Sequence, residues 1–184
     1  MLVPDASALL VVDVQDRFRP VMTGFEAMLA GCVRLVRTFR ALGLPILVTE
    51  QYPKGLGRTV PELLEALSGP GGTLPSIPEK TAFSSFGASS IPESLSRWAP
   101  KCVLVCGIET HVCVNQSVHD LIAASYRAHV AADAVESRKP FDREVALRKM
   151  AQAGAVITTT EMAAFELLRD ARHPKFKEVQ ALYK

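Results

Sequence analysis

Short apolar runs divide the chain, and the first of them, residues 8–12, is continuous rather than alternating with polar residues. The predicted strands cover residues 8–12, 45–48, 101–106, 128–131 and 155–158, with a short strand near residues 74–80. Continuous apolar runs of this length are typical of strands that are buried on both faces. The pattern therefore predicts a mostly parallel sheet.

Helical periodicity fills the intervals between these runs. Residues 25–42 place apolar side chains at helical spacing, and Gly43 stands where a helix C-cap belongs. We interpret the loop-rich residues 69–79 as a surface loop inside one domain that spans residues 1–184. The alternation of strand and helix predicts a doubly wound α/β domain. The further predicted helices cover residues 60–67, 91–98, 112–125, 143–153 and 161–168, followed by a short C-terminal helix.

Composition and charge narrow the class of protein. The 184 residues are 48% hydrophobic and 22% charged, which is the mix of an ordinary globular domain. Basic and acidic residues are interspersed and leave a net charge of +2, so we expect no nucleic-acid partner. The chain does not open on a signal-peptide pattern, and no apolar run approaches the ~20 residues that span a bilayer. We therefore expect a cytoplasmic protein with free thiols and no membrane partner.

Three residues with useful chemistry stand at the ends of predicted strands, where α/β sheets form their ligand crevice. Asp13 follows the first apolar run, Lys80 ends the short strand, and Cys113 lies beyond the run at 101–106. Taken singly, they fit a turn cap, a surface lysine and an inert buried thiol. Taken together, a carboxylate, an ammonium and a thiol can converge on one crevice.

Cys113 is predicted to lie in the first turn of a helix. The helix dipole and the N–H groups there favour a thiolate and lower the pKa of a thiol. The same N–H groups could hold a developing oxyanion. Asp13 could take the thiol proton, and Lys80 could hold the carboxylate. Cys102 and Cys106, which share one face of a strand, fit inert core positions.

The three motifs together resemble the isochorismatase-like cysteine hydrolases, a superfamily that includes nicotinamidases, N-carbamoylsarcosine amidohydrolases and isochorismatases. The resemblance covers nearly the whole chain and is closest to the branch that carries the isochorismatase-domain name. The motifs are an Asp-x-Gln-x-x-Phe from Asp13 to Phe18, a Lys-x-x-x-Ser-x-Phe from Lys80 through Ser84 to Phe86, and a Gly-x-x-x-x-x-Cys-Val from Gly107 to Val114.

This resemblance implies a three-layer sandwich around a six-stranded, mostly parallel sheet. It implies Cys113 as the nucleophile, Asp13 as its base and Lys80 as the third member of a catalytic triad. It also implies a cis peptide bond between Ile108 and Glu109, with the backbone N–H groups of Glu109 and Cys113 as the oxyanion hole. Members of the superfamily are often dimers or larger, so we expect a homo-oligomer.

Two departures from the superfamily bear on the substrate. Nicotinamidases carry Asp and His metal ligands after the second strand, but residues 49–57 contain no histidine here. We therefore expect no metal and no other cofactor, and nicotinamide is disfavoured as a substrate. Isochorismatases proper lack the cysteine, so the presence of Cys113 argues against their vinyl-ether chemistry.

The remaining candidates concern the substrate pocket. His111 is two residues from Cys113, and such positions do not face each other on a helix, so we assign it a wall or rim position. The candidates for the pocket are Phe18, Gln51, Tyr52, Ser84, Phe86 and His111.

The sequence thus favours a cysteine-dependent hydrolase that acts on a small amide or a related C–N substrate through a thioester. The main alternative is a non-catalytic binding or interaction protein on the same fold. A nucleotide-binding Rossmann protein is disfavoured because no glycine-rich loop follows the first strand. A thiol redox protein is disfavoured because Cys102 and Cys106 do not form a Cys-x-x-Cys motif.

Overall fold

A central parallel sheet organises the structure, a computed structural model that describes residues 1–68 and 72–184. Within these residues six strands are hydrogen-bonded in the order β3-β2-β1-β4-β5-β6, and every neighbouring pair is parallel. The chain fills one half of the sheet and then the other, so the strand order reverses between β1 and β4. The predicted doubly wound fold is confirmed, and ligands of such sheets bind beyond the strand ends at this reversal. The strands are β1 (Ser7–Val12), β2 (Ile46–Gln51), β3 (Glu79–Lys80), β4 (Cys102–Ile108), β5 (Arg127–Glu136) and β6 (Val156–Thr158).

Helices cover both faces of the sheet and complete the three layers. They are α1 (Phe25–Ala41), α2 (Pro53–Leu56), α3 (Pro61–Ser68), α4 (Ser90–Trp98), α5 (Asn115–Ala123), α6 (Pro140–Gln152), α7 (Thr160–Leu168) and α8 (Phe176–Gln180). Side chains of α1, α3 and α7 pack on one face, and those of α4, α5 and α6 pack on the other. In the part of the chain that the structure describes, no helix is both long and apolar enough to cross a membrane.

The apolar run of β1 forms a strand because it supplies side chains to both layers of the core. Every residue of β1 is buried, and its side chains alternate between the two clusters, with Leu9 on the α1 side and Leu10 on the opposite side. Burying one such side chain contributes about 1.5–3 kcal/mol. Cys102 and Cys106 lie on the α1 face of β4 as fully buried free thiols, as their spacing predicts.

Several boundaries differ from those that the sequence predicts. β5 runs on to Glu136 rather than ending near residue 131, because its register with β4 shifts between Val105 and Gly107 and pairing then resumes. β3 is limited to two residues, and residues 72–78 have no regular secondary structure. The first part of the predicted loop at 69–79, residues 69–71, lies outside the described residues.

His129 of β5 is a buried titratable residue that lies away from the carboxyl ends of the strands. It is fully buried, and neither ring nitrogen has a hydrogen-bond partner among the described residues. Burial lowers the pKa of His129 to about 4, from 6.5 for an exposed histidine. The unfolded chain therefore takes up a proton at this residue at a higher pH than the folded chain does.

We expect this histidine to make the protein sensitive to mild acid. The stability of the folded state is unaffected by His129 above pH 6.5 and decreases as the pH falls from 6.5 through 4, because protons then bind the unfolded chain preferentially. In urea unfolding at a series of pH values, His129→Leu should flatten this dependence, whereas the control His173→Leu should keep it. An unchanged slope in His129→Leu would assign the acid sensitivity to other groups.

Candidate active site

Asp13 is fixed at the carboxyl end of β1 by its backbone and by its side chain. Its φ of 52° lies in the left-handed region, which a residue other than glycine adopts only when its surroundings enforce it. The carboxylate is buried and accepts two hydrogen bonds of 2.7 Å, one at each oxygen. Thr49 Oγ1 donates to Oδ1, and Lys80 Nζ donates to Oδ2.

Lys80 is the last residue of β3, and its ammonium group is enclosed by acceptors. Besides Asp13, the Nζ atom donates to Gln51 Oε1 at 2.8 Å and to the carbonyl oxygens of Phe83 at 2.9 Å and Ala82 at 3.3 Å. The side chain is fully buried, so the surface-lysine interpretation is wrong. Burying an ion pair is costly unless its remaining donors and acceptors are paired, and here they are.

β2 lies between the two charged residues and holds both of them. Thr49 and Gln51 are two residues apart on a strand, so their side chains point the same way. The Gln51 side chain also donates through Nε2 to the carbonyl oxygen of Thr81 at 2.8 Å. Its backbone is paired in turn by Gln15, whose Oε1 accepts from the Gln51 amide at 2.7 Å. Gln51 therefore lies in the cluster as a partner of Lys80.

The chain approaches Cys113 through an unusual backbone segment. Gly107 has a φ of 113°, and a Cβ atom there would collide with the carbonyl oxygen of Val12 on the neighbouring strand. The next peptide bond, between Ile108 and Glu109, is cis. Residues 110–114 then form a π-helical turn ahead of α5, where the sequence predicts an ordinary helix start. This turn places Cys113 at the strand ends with only 7% of its surface exposed.

The thiol of Cys113 has a raised pKa rather than the lowered one predicted for a helix start. Burial and, next in size, the charge of the neighbouring Asp13 carboxylate raise the pKa of Cys113 to about 12, and the Lys80 ammonium opposes this rise. The prediction was wrong because the thiol is removed from water and set against a carboxylate. These effects outweigh a helix dipole. Cys113 is therefore a neutral thiol at rest.

Glu109 forms a second ion pair at the carboxyl ends of the strands. Its carboxylate is almost buried, accepts a 2.8 Å hydrogen bond from Arg138 Nε, and adds to the rise in the pKa of Cys113. The sequence does not reveal Arg138, because β5 is predicted to end near residue 131 and Arg138 then lies far from a predicted strand end. Gln15 and Thr49 are not singled out by the sequence either, although Gln15 stands within the Asp-x-Gln motif.

The other predicted pocket residues are dispersed around the cluster. Phe86 packs against the hydrophobic cluster that contains Cys113, whereas Phe18 packs on the opposite face of the sheet. Tyr52 is half exposed and borders a cavity of about 400 Å³ at the β3 edge. The structure therefore brings Phe86, but not Phe18, to the cysteine side of the sheet.

Ser84 and His111 have polar partners of their own. The Ser84 hydroxyl donates to the Asp120 carboxylate and accepts from the Phe86 amide at 3.2 Å. His111 Nδ1 lies 3.0 Å from the Ser137 hydroxyl. Across residues 1–68 and 72–184, no three His, Cys, Asp or Glu side chains converge in a way that could hold a metal ion.

The raised pKa of Cys113 predicts how the rate of its alkylation depends on pH. The rate of Cys113 modification by iodoacetamide should still be rising at pH 10, because the neutral thiol predominates below its pKa. Asp13→Asn removes a cause of the rise, so its rate should level off at a lower pH. Lys80→Met should show no such levelling, because it removes the opposing charge.

Peptide mass spectrometry across about pH 6 to 10 resolves this profile for each cysteine. The control Asp170→Asn removes an exposed carboxylate that pairs with Arg172, and it should leave the profile unchanged. A wild-type rate that levels off below pH 8 would mean that Cys113 is a thiolate at rest, contrary to this account.

The chain is similar to proteins of one family over nearly its whole length. A family model described as the isochorismatase domain matches residues 7–162. Isochorismatase domain-containing protein 2A of Mus musculus is 42% identical over 183 residues, which cover 100% of this chain and 85% of the mouse protein.

Solved structures share the fold as well. A structure described as the MAR1 ribonuclease from Caenorhabditis elegans matches with a TM-score of 0.90 and 39% identity, covering 99% of this chain and 92% of that chain. The YcaC gene product of Escherichia coli, described as an octameric hydrolase of unknown specificity, has the same fold at a TM-score of 0.84 and 22% identity, covering 100% and 96%. The predicted resemblance is thus confirmed, and the chain belongs to the isochorismatase domain family.

Proposed function

We propose that this protein is a cysteine-dependent hydrolase that cleaves the C–N bond of a small amide or a related compound. Membership of the isochorismatase domain family supports a hydrolase. The observation that carries the proposal is the buried pair of Asp13 and Lys80 beside the Cys113 thiol. A nucleophile next to a base that is itself held by a third group is the arrangement of a catalytic triad.

The first step transfers the thiol proton of Cys113 to Asp13. Before the transfer the cluster holds a carboxylate, an ammonium and a neutral thiol, and afterwards it holds a carboxylic acid, an ammonium and a thiolate. The net charge does not change, so no additional charge is created in an environment of low dielectric constant. Lys80 remains cationic throughout and stabilises whichever partner is negative.

The thiolate then attacks the carbonyl carbon of the substrate. A C–S bond forms, and the electron pair of the carbonyl moves to oxygen, which is held by the backbone N–H groups of Glu109 and Cys113. Collapse of this oxyanion breaks the C–N bond, and Asp13 returns its proton to the departing amine. Water activated by the same carboxylate hydrolyses the thioester and restores the thiol.

The burial of the site favours a small substrate. Cys113 is almost enclosed, so only a small group can reach its sulfur. In doubly wound sheets such ligands bind beyond the strand ends, where the strand order reverses. The similarity to a structure described as a ribonuclease makes RNA cleavage the second candidate. The net charge of +2 favours the small amide, because a surface that binds RNA needs a strong basic patch.

Substitution of the proposed catalytic groups tests this mechanism. Ammonia release from a panel of small amides and N-carbamoyl compounds should be lost in Cys113→Ala. It should fall by roughly 10²–10⁴-fold in Asp13→Asn, because general-base catalysis contributes about that much. The control Cys102→Ala changes another buried thiol and should keep the activity. RNA is included as a substrate in the same assays.

Each outcome separates the candidates. Hydrolysis that persists in Cys113→Ala contradicts the cysteine mechanism, and RNA cleavage that depends on Cys113 supports the ribonuclease instead. If neither the amides nor RNA is turned over by the wild-type protein, the alternative of a binding protein on a hydrolase fold is supported. Asp13→Asn leaves Lys80 unpaired, so the double variant Asp13→Asn/Lys80→Met, which removes both charges, serves as a second test if the single variant does not fold.

Gln51 is expected to position Lys80 rather than to bind substrate. Gln51→Leu removes one of the four acceptors of Lys80 Nζ while keeping a similar volume, so kcat should fall about tenfold with little change in KM. The pH profile of kcat should shift as well, since the loss of this acceptor changes how Lys80 Nζ is held against Asp13. The matched control Gln116→Leu alters an exposed glutamine of α5 and should have no effect. A change confined to KM would indicate instead that Gln51 contacts the substrate.

We further propose that the chain assembles with copies of itself. The octameric state of the E. coli protein, which shares the fold, supports assembly.

A further inference from the structure

α6 carries an exposed apolar face next to the turn that holds Cys113. Phe141 is 70% exposed and Val145 is 40% exposed, and the two lie one helical turn apart. Among the described residues of this helix, only Ala146 and Met150 are buried. A phenylalanine that is this exposed leaves apolar surface in water, and clustering with a second apolar side chain is typical of an interaction surface.

A cavity of about 160 Å³ opens between this face and the π-helical turn. The turn and the first residue of α5 contribute His111 and Asn115 to its wall. Asn115 is almost buried, and its Oδ1 atom has no hydrogen-bond partner among the described residues. Asn115 Oδ1 is therefore free to accept a hydrogen bond from water or from a polar group at the cavity. The α6 residues of the wall are Phe141, Asp142, Val145, Ala146 and Lys149.

The charged residues on this face are placed so that they can pair with those of a second copy. Asp142 and Lys149 are seven residues apart, or two helical turns, with Val145 and Ala146 midway between them. No described lysine or arginine forms a salt bridge with Asp142, whose nearest basic atom is His111 Nε2 at 3.9 Å, and no described carboxylate pairs with Lys149. If two copies of the helix lie antiparallel about a two-fold axis, Asp142 of each copy faces Lys149 of the other.

We propose that this face of α6 is where a second copy of the chain docks, with the two α6 helices antiparallel about a two-fold axis. Val145 lies at the axis, Phe141 of each copy packs into the cavity of the other, and reciprocal pairs of Asp142 and Lys149 flank the apolar centre. A face with one acid and one base at matching distances is complementary to itself. Because this face carries both signs of charge, it is not complementary to a strongly acidic or a strongly basic partner.

The surface adjoins the candidate active site without including its reacting groups. His111 and Asn115 stand two residues before and two residues after Cys113, so a partner seated in the cavity supports the turn that carries the nucleophile. The proposal concerns assembly, and it can hold or fail whether or not Cys113 is a catalytic nucleophile.

The first test measures molar mass by light scattering after size-exclusion chromatography over a range of protein concentrations. The wild-type chain should have the mass of a dimer or a larger assembly. Phe141→Asp should lower that mass and raise the dissociation constant at least tenfold. The control Phe83→Asp places the same change on an exposed phenylalanine elsewhere and should leave the mass unchanged. Circular dichroism verifies that each variant is folded.

The second test exchanges the charges and separates docking from misfolding. Asp142→Lys alone and Lys149→Asp alone set like charges against each other across the axis, so each should weaken the assembly. The double variant restores opposite charges in both pairs and should recover the wild-type mass. A wild-type monomer at all concentrations, an unchanged mass in Phe141→Asp, or a double variant no better than the single ones would overturn the proposal.

Discussion

The buried ion pair between Asp13 and Lys80 is the constraint on which the carboxyl edge of the sheet depends. Removing one partner of such a pair destabilises a protein by about 3–5 kcal/mol, because a charge is left unpaired in the interior. The edge is therefore built to satisfy both charges, with the Thr49 hydroxyl on the carboxylate and Gln51 with two backbone carbonyls on the ammonium. These contacts also fix where β1, β2 and β3 end relative to one another.

β2 also holds the segment that follows it, residues 52–59, which contains no histidine. Thr49 and Gln51 point toward the ion pair, and the intervening Glu50 carboxylate accepts hydrogen bonds of 2.7 Å from both the amide and the hydroxyl of Thr59. These bonds and the pairing with Arg58 lower the pKa of Glu50 despite its burial. Alternate side chains of β2 thus bind the Asp13–Lys80 pair on one side and residues of the following loop on the other.

Local patterns predict the sheet well because the central strands β1 and β4 are buried on both faces, and burial of that kind leaves a continuous apolar run in the sequence. They also place Asp13, Lys80 and Cys113 near the ends of predicted strands, and it is the combination of the three, with the family resemblance, that makes them the candidate site. They do not reveal Thr49, which looks like an ordinary strand residue, or Arg138, which follows an irregular part of β5. The roles of these two residues arise from contacts with residues 36 and 29 positions away.

The pKa of Cys113 is another property that local sequence patterns do not predict. A helix start predicts a thiolate, but the sign of the shift is decided by burial and by the Asp13 carboxylate, which come from tertiary structure. A neutral thiol is a poor target for oxidants and alkylating agents, because the thiolate is the reactive form. Within the proposed mechanism the carboxylate that keeps the thiol protonated is also the group that accepts its proton. The nucleophile then forms only as a carbonyl arrives to receive its electron pair, so one residue both protects the cysteine and activates it.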